Sequence, residues 1–524
     1  MLDLNNVTSL GDIARGQAKV RPDKIAFHFE GRETSYGAFD DHTSRVANGL
    51  IALGLKPGAR ISYIGKNSDL YFEAVFGAAK AGIVMTPVNW RLAGPEMVYI
   101  LNDARAEVLF VGAEFIEMVE GLVPALNTVH KIIDLESFGS AWPGFAAWRD
   151  AQDATDPQTD IQSGDVALQL YTSGTTGNPK GAMLAHHSLM GLRRIAGQPS
   201  WNTWTADDVS LVAMPAFHIG GTGWGIAGLI NGAKGVVARE FDPHKVLDFI
   251  EGFGITKIFM VPAAMQIVVR HPRAREVDYS SIKYILYGAS PIPLDLLKEC
   301  MEVFGCGFVQ MYGMTETSGT IVALPPEDHV PEGSSRMRSA GKALPGVEVV
   351  IVDEAGQVVA PGVVGEIASR SIANMTGYWN LAEATAKALN SEGWLRTGDA
   401  GYMDEDGYIY IHDRVKDMII SGGENIYPAE VENAIFGHPS VADVAVIGIP
   451  DDKWGEAVKA CVVLKAGTTV SPAEIIAWSR ERIAAFKCPK SVDYIEALPR
   501  NASGKILRRQ LREPYWAAVG RRVN

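Results

Sequence analysis

The residues best suited to chemistry lie between Tyr171 and Gly181, in the run Tyr-Thr-Ser-Gly-Thr-Thr-Gly-Asn-Pro-Lys-Gly. Gly174 and Gly177 remove the side chains that would keep a ligand off the backbone. They also permit the positive φ angles that turn successive N–H groups toward one point, and such an arrangement binds anions. Lys180 adds charge, while Thr172, Ser173, Thr175 and Thr176 add hydroxyl donors. A polyphosphate is the natural guest. The spacing is not that of the Walker loop, where lysine follows glycine directly and Ser or Thr comes next. Here Asn178 and Pro179 intervene, and Pro179 stiffens the end of the loop. A polar turn after a buried strand has the same composition, so the segments downstream decide between the two.

Two of those segments are glycine turns at the carboxyl ends of expected strands, where open α/β sheets place their ligands. The strand expected over 284–287 ends in Gly288-Ala289-Ser290, and the one over 307–311 ends in Tyr312-Gly313-Met314-Thr315-Glu316. Thr315 suits a phosphate oxygen. Glu316 suits Mg²⁺, a hard cation that takes carboxylate and phosphate together. His218, within Phe217-His218-Ile219-Gly220-Gly221, is either a packed, hydrogen-bonded histidine or a catalytic one. Both readings stay open.

The elements that must position these groups alternate strand and helix. Strands are expected over 24–29, 60–64, 83–88 and 166–171, with helices over 36–53 and 69–81. That rhythm implies crossover connections and a largely parallel sheet with helices on its faces. Near residue 400 the character changes to a hairpin about Glu405-Asp406-Gly407, then the alternating charges of Asp413-Arg414-Val415-Lys416-Asp417. Beyond these come a helix over 428–436, strands over 441–447 and 457–464, and a helix opened by the capping box Ser471-Pro472-Ala473-Glu474. The expected architecture is α/β: a large N-terminal domain, residues 1–415, of mostly parallel sheets with flanking helices. A small mobile α+β domain, residues 416–524, follows, with the hinge near Lys416.

A chain of 524 residues exceeds one core, and its 47% hydrophobic and 21% charged content is that of a soluble globular protein. The formal net charge of −13 argues against nucleic acid or an anionic membrane as the main partner. Cys300, Cys306, Cys461 and Cys488 form no close pair and suit packing in a reducing compartment. The N-terminal residues lack a signal-peptide core, and the longest apolar stretches fall short of a membrane span. A cytoplasmic protein is expected, without integral membrane association and with a homodimer left open.

The chain resembles an acyl-CoA synthetase of the adenylate-forming superfamily, which also holds luciferases and amino-acid-adenylating domains. The resemblance covers nearly the whole length and rests on 172–181, 312–316, Thr397-Gly398-Asp399, 413–417, Gly422-Gly423-Glu424-Asn425 and 499–505, in family order. It implies an ATP-dependent acid–thiol ligase, with ATP, Mg²⁺ and coenzyme A, that makes an acyl-adenylate and then an acyl-CoA. By motif position, Thr172, Ser173, Gly174, Thr175, Thr176, Gly177 and Lys180 hold the β- and γ-phosphates. Glu316, with Thr172 a weaker candidate, binds Mg²⁺, and Thr315 reaches the α-phosphate. Asp399 accepts the ribose hydroxyls, assisted by Arg414. Gly288, Ala289, Ser290, Gln310, Met311, Tyr312 and Gly313 frame the adenine side. Lys505 bridges the acyl carboxylate and α-phosphate. The small domain then rotates about Lys416, and Gly422 and Gly423 enter to line the pantetheine tunnel. Asp413 stands where many members carry glycine, which leaves the hinge geometry open.

Acetate-specific relatives carry tryptophan where this chain has Gly313, so the resemblance implies room for a larger acid. Phe217, His218, Gly220, Gly221, Trp224 and Met314 are the expected lining or gate of that room. A medium- to long-chain fatty acid is the first expectation, and an aryl or alicyclic acid the alternative. A luciferase-like or carrier-protein ligase ranks lower. The stretch 214–223 has no carboxylate to meet an amino group, and little chain follows Lys505, which disfavours an amino-acid-adenylating domain.

Overall fold

The computed structural model describes residues 7–137, 139–172, 178–195, 197–414, 417–421, 424–451, 453–501 and 505–517. Ser173, Gly174, Thr175, Thr176, Gly177, Lys416, Gly422 and Gly423, and the side chain of Arg414, lie outside the described residues. The expected α/β architecture is present. A seven-stranded sheet and a nine-stranded sheet form the large part, joined to a four-stranded antiparallel sheet, and a five-stranded sheet forms the C-terminal part.

The helix Asp69–Lys80 shows how the two large sheets are bound together. Every residue of it is buried, as expected of a helix packed on all sides rather than on one stripe. Phe72 stacks on Phe27 of the nine-stranded sheet with ring centroids 4.9 Å apart, and Tyr71 meets Tyr63 of the seven-stranded sheet at 5.0 Å. Lys80 at the helix end is fully buried. Its ammonium donates to an Asp40 carboxylate oxygen at 2.5 Å and to Ser44 Oγ at 2.8 Å, the pairing that a buried charge requires.

The expected helix over 36–53 is Tyr36–Ala52, capped by Ser35, whose Oγ accepts from the Ala38 N–H at 3.2 Å. The strand Arg60–Ile64 pairs in parallel with Val84–Pro87 and Ala106–Val111. The capping box at Ser471 is formed, with the Ser471 N–H donating to Glu474 Oε2 at 2.8 Å. One expected boundary moves. The strand after 307 does not stop at Met311 but runs Gly307–Met314. Tyr312, Gly313 and Met314 are held in it by antiparallel pairing with Gly319–Leu324, across a register shift between Tyr312 and Gly313. The turn that follows is Thr315–Thr317.

Among the described residues no helix is long and apolar enough to cross a membrane. The cysteines are unpaired, and Cys300, Cys461 and Cys488 are buried.

Candidate active site

The glycine-rich loop is the connection of a hairpin. Strand Val166–Thr172 pairs antiparallel with Lys180–Ala185, and Thr172 and Lys180 stand directly opposite each other. The described ends therefore carry a hydroxyl and an ammonium on facing strands. Glu316, on the turn after the strand Gly307–Met314, reaches this hairpin. Its Oε1 accepts hydrogen bonds from Thr172 Oγ1 at 3.3 Å and from the Tyr378 hydroxyl at 2.8 Å. Lys180 Nζ lies 5.2 Å from the centroid of the Tyr378 ring. Glu316 is only 5% exposed.

A buried carboxylate answered by hydroxyls, with no ion pair among the described residues, is a site with negative charge to spare. That suits a hard cation. Among the described residues there is no group of three or more His, Cys, Asp or Glu side chains able to hold a metal. A lone carboxylate is compatible with Mg²⁺, an ion that takes most of its ligands from phosphates and water. Tyr378 escaped the sequence reading. It follows the glycine of Thr376-Gly377-Tyr378 and enters the site because Gly377–Tyr378 pairs with the strand Lys180–Ala185.

A second buried carboxylate is held by the same strand, through Tyr312. Asp399 is 8% exposed, and its Oδ2 accepts from the Tyr312 hydroxyl at 2.8 Å. Its own N–H donates to Thr397 Oγ1 at 3.1 Å, and Thr397 donates on to the Ile367 carbonyl, so the carboxylate is fixed from behind. Arg414 is the cross-strand partner of Asp399 in the antiparallel pair Trp394–Met403 and Ile409–Arg414. The expected neighbourhood of these two residues is met at the level of the backbone.

Strand Tyr284–Gly288 runs parallel to Gly307–Met314 with Gly288 opposite Met311. A Cβ on Gly288 would come within 2.1 Å of the Met311 carbonyl oxygen, so glycine is dictated by the close approach of the two strands. Ala289 follows with φ of 67°, which turns the chain away from the sheet. Gly313 is equally constrained: a Cβ there would meet the Gly319 carbonyl oxygen at 1.9 Å. Backbone, before any ligand, selects this glycine.

Behind this turn opens a cavity of about 180 Å³, walled by Gly313, Met314, Gly220, Trp224, Phe259 and Arg193, with Ala289, Met311, Trp201 and Trp204 among its other contacts. Of the expected lining, Gly220, Trp224 and Met314 are there. Phe217, His218 and Gly221 are not. The reason lies in the turn 214–218. Asn67 clamps it by accepting from the Ala216 N–H at 2.8 Å and donating to the Met214 carbonyl at 3.1 Å. A Cβ on Gly221 would strike the Pro215 carbonyl oxygen at 2.2 Å. Phe217 is instead edge-on to Trp90, with centroids 6.3 Å apart. His218 precedes the helix Ile219–Asn231, and burial lowers its pKa to about 4, so it is neutral near pH 7. Its Nε2 is buried without a hydrogen-bond partner among the described residues.

Lys505 sits in the C-terminal part, hydrogen-bonded to Asn501. The Asn501 N–H donates to the Lys505 carbonyl and the Lys505 N–H to Asn501 Oδ1, both at 2.8 Å, while Leu507 N–H closes onto the Pro499 carbonyl. Lys505 does not line the cavity. The two parts of the chain touch where Gln266 Nε2 donates to the Ala442 carbonyl at 3.1 Å.

Comparison with known proteins agrees with this picture. A family model described as AMP-binding enzyme matches residues 14–379, and one described as AMP-binding enzyme C-terminal domain matches 430–505. The chain is 42% identical to the fatty acid–[acyl-carrier-protein] ligase ScoC of Streptomyces coeruleorubidus, over 97% of this chain and 96% of that one. It is 38% identical to a feruloyl-CoA synthase of an Amycolatopsis species, over 97% of this chain and 99% of that protein. The crystal structure of the anthranilate CoA ligase AuaEII with anthranoyl-AMP superposes with a TM-score of 0.91 at 28% identity, covering 98% of both chains.

Proposed function

We propose, from the premise that the chain belongs to the family of AMP-binding enzymes and is an AMP-forming acid–thiol ligase using ATP, Mg²⁺ and coenzyme A, that its substrate is a compact acid larger than acetate. The observation that carries this is the juxtaposition of the Thr172–Glu316–Tyr378 cluster with a cavity of about 180 Å³ across one turn of chain. That volume lies below the roughly 300–1,000 Å³ common for ligand pockets. It suits a ring or a medium chain better than a long extended one. Relatives named for feruloyl, indoleacetate and fatty acid ligases are in keeping with either body.

In the first half-reaction a carboxylate oxygen attacks the α-phosphorus of ATP. The bond to the β-phosphate oxygen breaks, and pyrophosphate leaves with that electron pair. In the second, the coenzyme A thiol loses its proton and attacks the acyl carbonyl, and AMP leaves with the oxygen. Bound Mg²⁺ supplies positive charge at the phosphate oxygens. In this reading Glu316 and Thr172 hold it, and Tyr378 keeps the Glu316 carboxylate in place. Lys180 and the loop 173–177 bind the β- and γ-phosphates, and Thr315 meets the α-phosphate. Asp399, fixed by Tyr312 and Thr397, accepts the ribose hydroxyls with its remaining acceptor capacity. Arg414 assists there, and 288–290 with 310–312 flank the base.

Lys505 is assigned to the first half-reaction alone, and the Gly422-Gly423 turn to the second. The boundary near Lys416 is the proposed pivot between the two arrangements. Cations placed in advance in a water-poor cleft are the strongest means of countering the charge that crowds at the α-phosphorus.

The test is product identity. Purified protein with ATP, Mg²⁺, coenzyme A and a panel of ring and straight-chain acids should release AMP and pyrophosphate and form an acyl-CoA of matching mass. Transfer to a carrier protein but not to coenzyme A would replace the acceptor in this reading. ADP and phosphate as products would overturn it.

A further inference from the structure

The cavity carries a cation that the adenylation chemistry leaves unused. Arg193 lines it together with Trp201, Asn202 and Trp204. Among the described residues its guanidinium has no hydrogen-bond, ion-pair or ring partner. Burial lowers its pKa to about 10, with no acidic side chain acting on it, so it stays charged at neutral pH. Cations buried among the described residues are answered. Arg149 donates to Glu73 at 2.7 Å, and Lys80 is paired with Asp40. Arg193 is partly buried, and a cation drawn out of water without a partner is costly, so its protein generally answers it with something else.

The surroundings sharpen the point. Lys257, whose ammonium donates to the Trp201 and Thr203 carbonyls at 3.3 and 2.7 Å, feels the positive charge of Arg193. Arg193 therefore lies within electrostatic range of the wall made by 201–204, which lines the same cavity. The nearby carboxylate, Asp208, is already engaged by Lys283 at 2.7 Å, Thr256 Oγ1 at 2.9 Å and the Thr205 N–H at 2.8 Å, with Lys257 at 4.0 Å. That wall is therefore positive on balance. A further polar atom of the same cavity, Ser318 Oγ, is buried and without a hydrogen-bond partner among the described residues. An unbranched alkyl chain would leave both groups unanswered. A reacting carboxyl group is expected at the 313–320 turn, past the end of the strand Gly307–Met314, whereas Lys257, which feels Arg193, is level with Tyr284 and Gly307 at the start of the strands.

We propose that Arg193 is a specificity residue that binds a second carboxylate at the end of the substrate remote from the reacting carboxyl, so that the enzyme activates dicarboxylic acids of compact length or ring form. This rests on the acid-activating reading above. Guanidinium and carboxylate match in geometry and form charge-assisted, bidentate hydrogen bonds, and a site built around such a pair rejects the analogue that lacks the oxygen atoms.

The experiment compares acids in matched pairs: octanoate with octanedioate, and phenylacetate with 4-carboxyphenylacetate. Pyrophosphate release gives kcat/KM for each acid, with the KM for ATP as an internal control. The native enzyme should prefer the diacid of each pair by roughly tenfold or more. Arg193→Met should reverse that preference through the KM for the acid while the KM for ATP stays put, and Arg193→Lys should restore part of it. A native preference for the mono-acids, or a preference that Arg193→Met leaves unchanged, overturns the proposal. If Arg193→Met does not fold, the native ratio decides alone. Absence of pyrophosphate release with every acid would defeat the acid-activating reading itself, whereas release with mono-acids only would defeat just the assignment of Arg193.

Discussion

The turn from Gly313 to Thr320 divides two regions built on opposite plans. On one side, Glu316 and Asp399 are buried carboxylates that accept, among their contacts, hydrogen bonds from the hydroxyls of Thr172, Tyr378 and Tyr312. On the other, the cavity has tryptophan, methionine and glycine walls and a single unanswered guanidinium among the described residues. In the proposed reading the first plan is generic, since every turnover brings the same metal and nucleotide, and the second is particular to one acid. The difference teaches that chemistry and specificity are separable here by a few ångströms of backbone, and substitutions should sort accordingly.

The largest expected effect falls on the nucleotide side. Glu316→Gln keeps the shape and the hydrogen bonds to Thr172 and Tyr378 but removes the charge. Loss of one such preorganised electrostatic group typically costs on the order of 10²–10³ in rate, and pyrophosphate release should fall by that factor for every acid alike. A loss that depends on the acid would break the division between the two regions.

Next comes Lys505→Ala. It should slow adenylation by a comparable factor, roughly 10² or more, yet spare coenzyme A attack on pre-made acyl-adenylate. Single-turnover measurement of each half-reaction decides. Equal slowing of both would mean that this lysine serves more than one arrangement of the small domain.

Gly313 tests the shared wall itself. The absence of a side chain there reads, from sequence, as an open acyl pocket, and Gly313→Trp as a plug. The structure adds a cost that precedes any plug, because even a Cβ meets the Gly319 carbonyl oxygen at 1.9 Å. Gly313→Ala should therefore destabilise by about 1–3 kcal/mol, the usual cost of overpacking, and should perturb both regions together. A denaturation midpoint equal to that of the native protein would show that the strand pair yields freely.

The smallest effect concerns how the cavity wall is anchored. His186 opens the short helix His186–Met190, and its Nδ1 accepts from the Leu10 N–H at 3.2 Å, which requires an unprotonated nitrogen. Burial lowers its pKa from 6.5 to about 4. Between those values the unfolded chain binds the proton and the folded chain does not, so stability falls as pH drops through this window. His186→Gln should flatten the slope of stability against pH between about 4 and 6.5 by up to one proton. An unchanged slope would mean that the folded histidine titrates normally.

How much of this was legible beforehand differs between the two regions for the same physical reason. The proposed nucleotide side draws on short continuous runs, and 171–181 and 312–316 stand out because glycines, hydroxyls and acids cluster there. Tyr378 was missed, since its place is set by pairing with a strand nearly two hundred residues earlier, as Tyr378 opposite Ala182. The cavity is drawn from segments around 189, 201, 224, 259 and 313, and nothing local marks Arg193 as facing an apolar space. His218 and Phe217 looked eligible by composition but are held elsewhere by Asn67 and Trp90. The parallel sheets followed from the alternation of strand and helix. The antiparallel return Gly319–Leu324, which prolongs the strand through Met314, follows from no periodicity.

Acid-dependent exchange of labelled pyrophosphate into ATP, measured without coenzyme A, tests the central claim most directly. If the protein forms an acyl-adenylate at the Glu316 site, exchange requires ATP, Mg²⁺ and an acid, proceeds without any thiol, and disappears in Glu316→Gln. Exchange that needs no acid, or that begins only when coenzyme A is added, would contradict an acyl-adenylate as the first product.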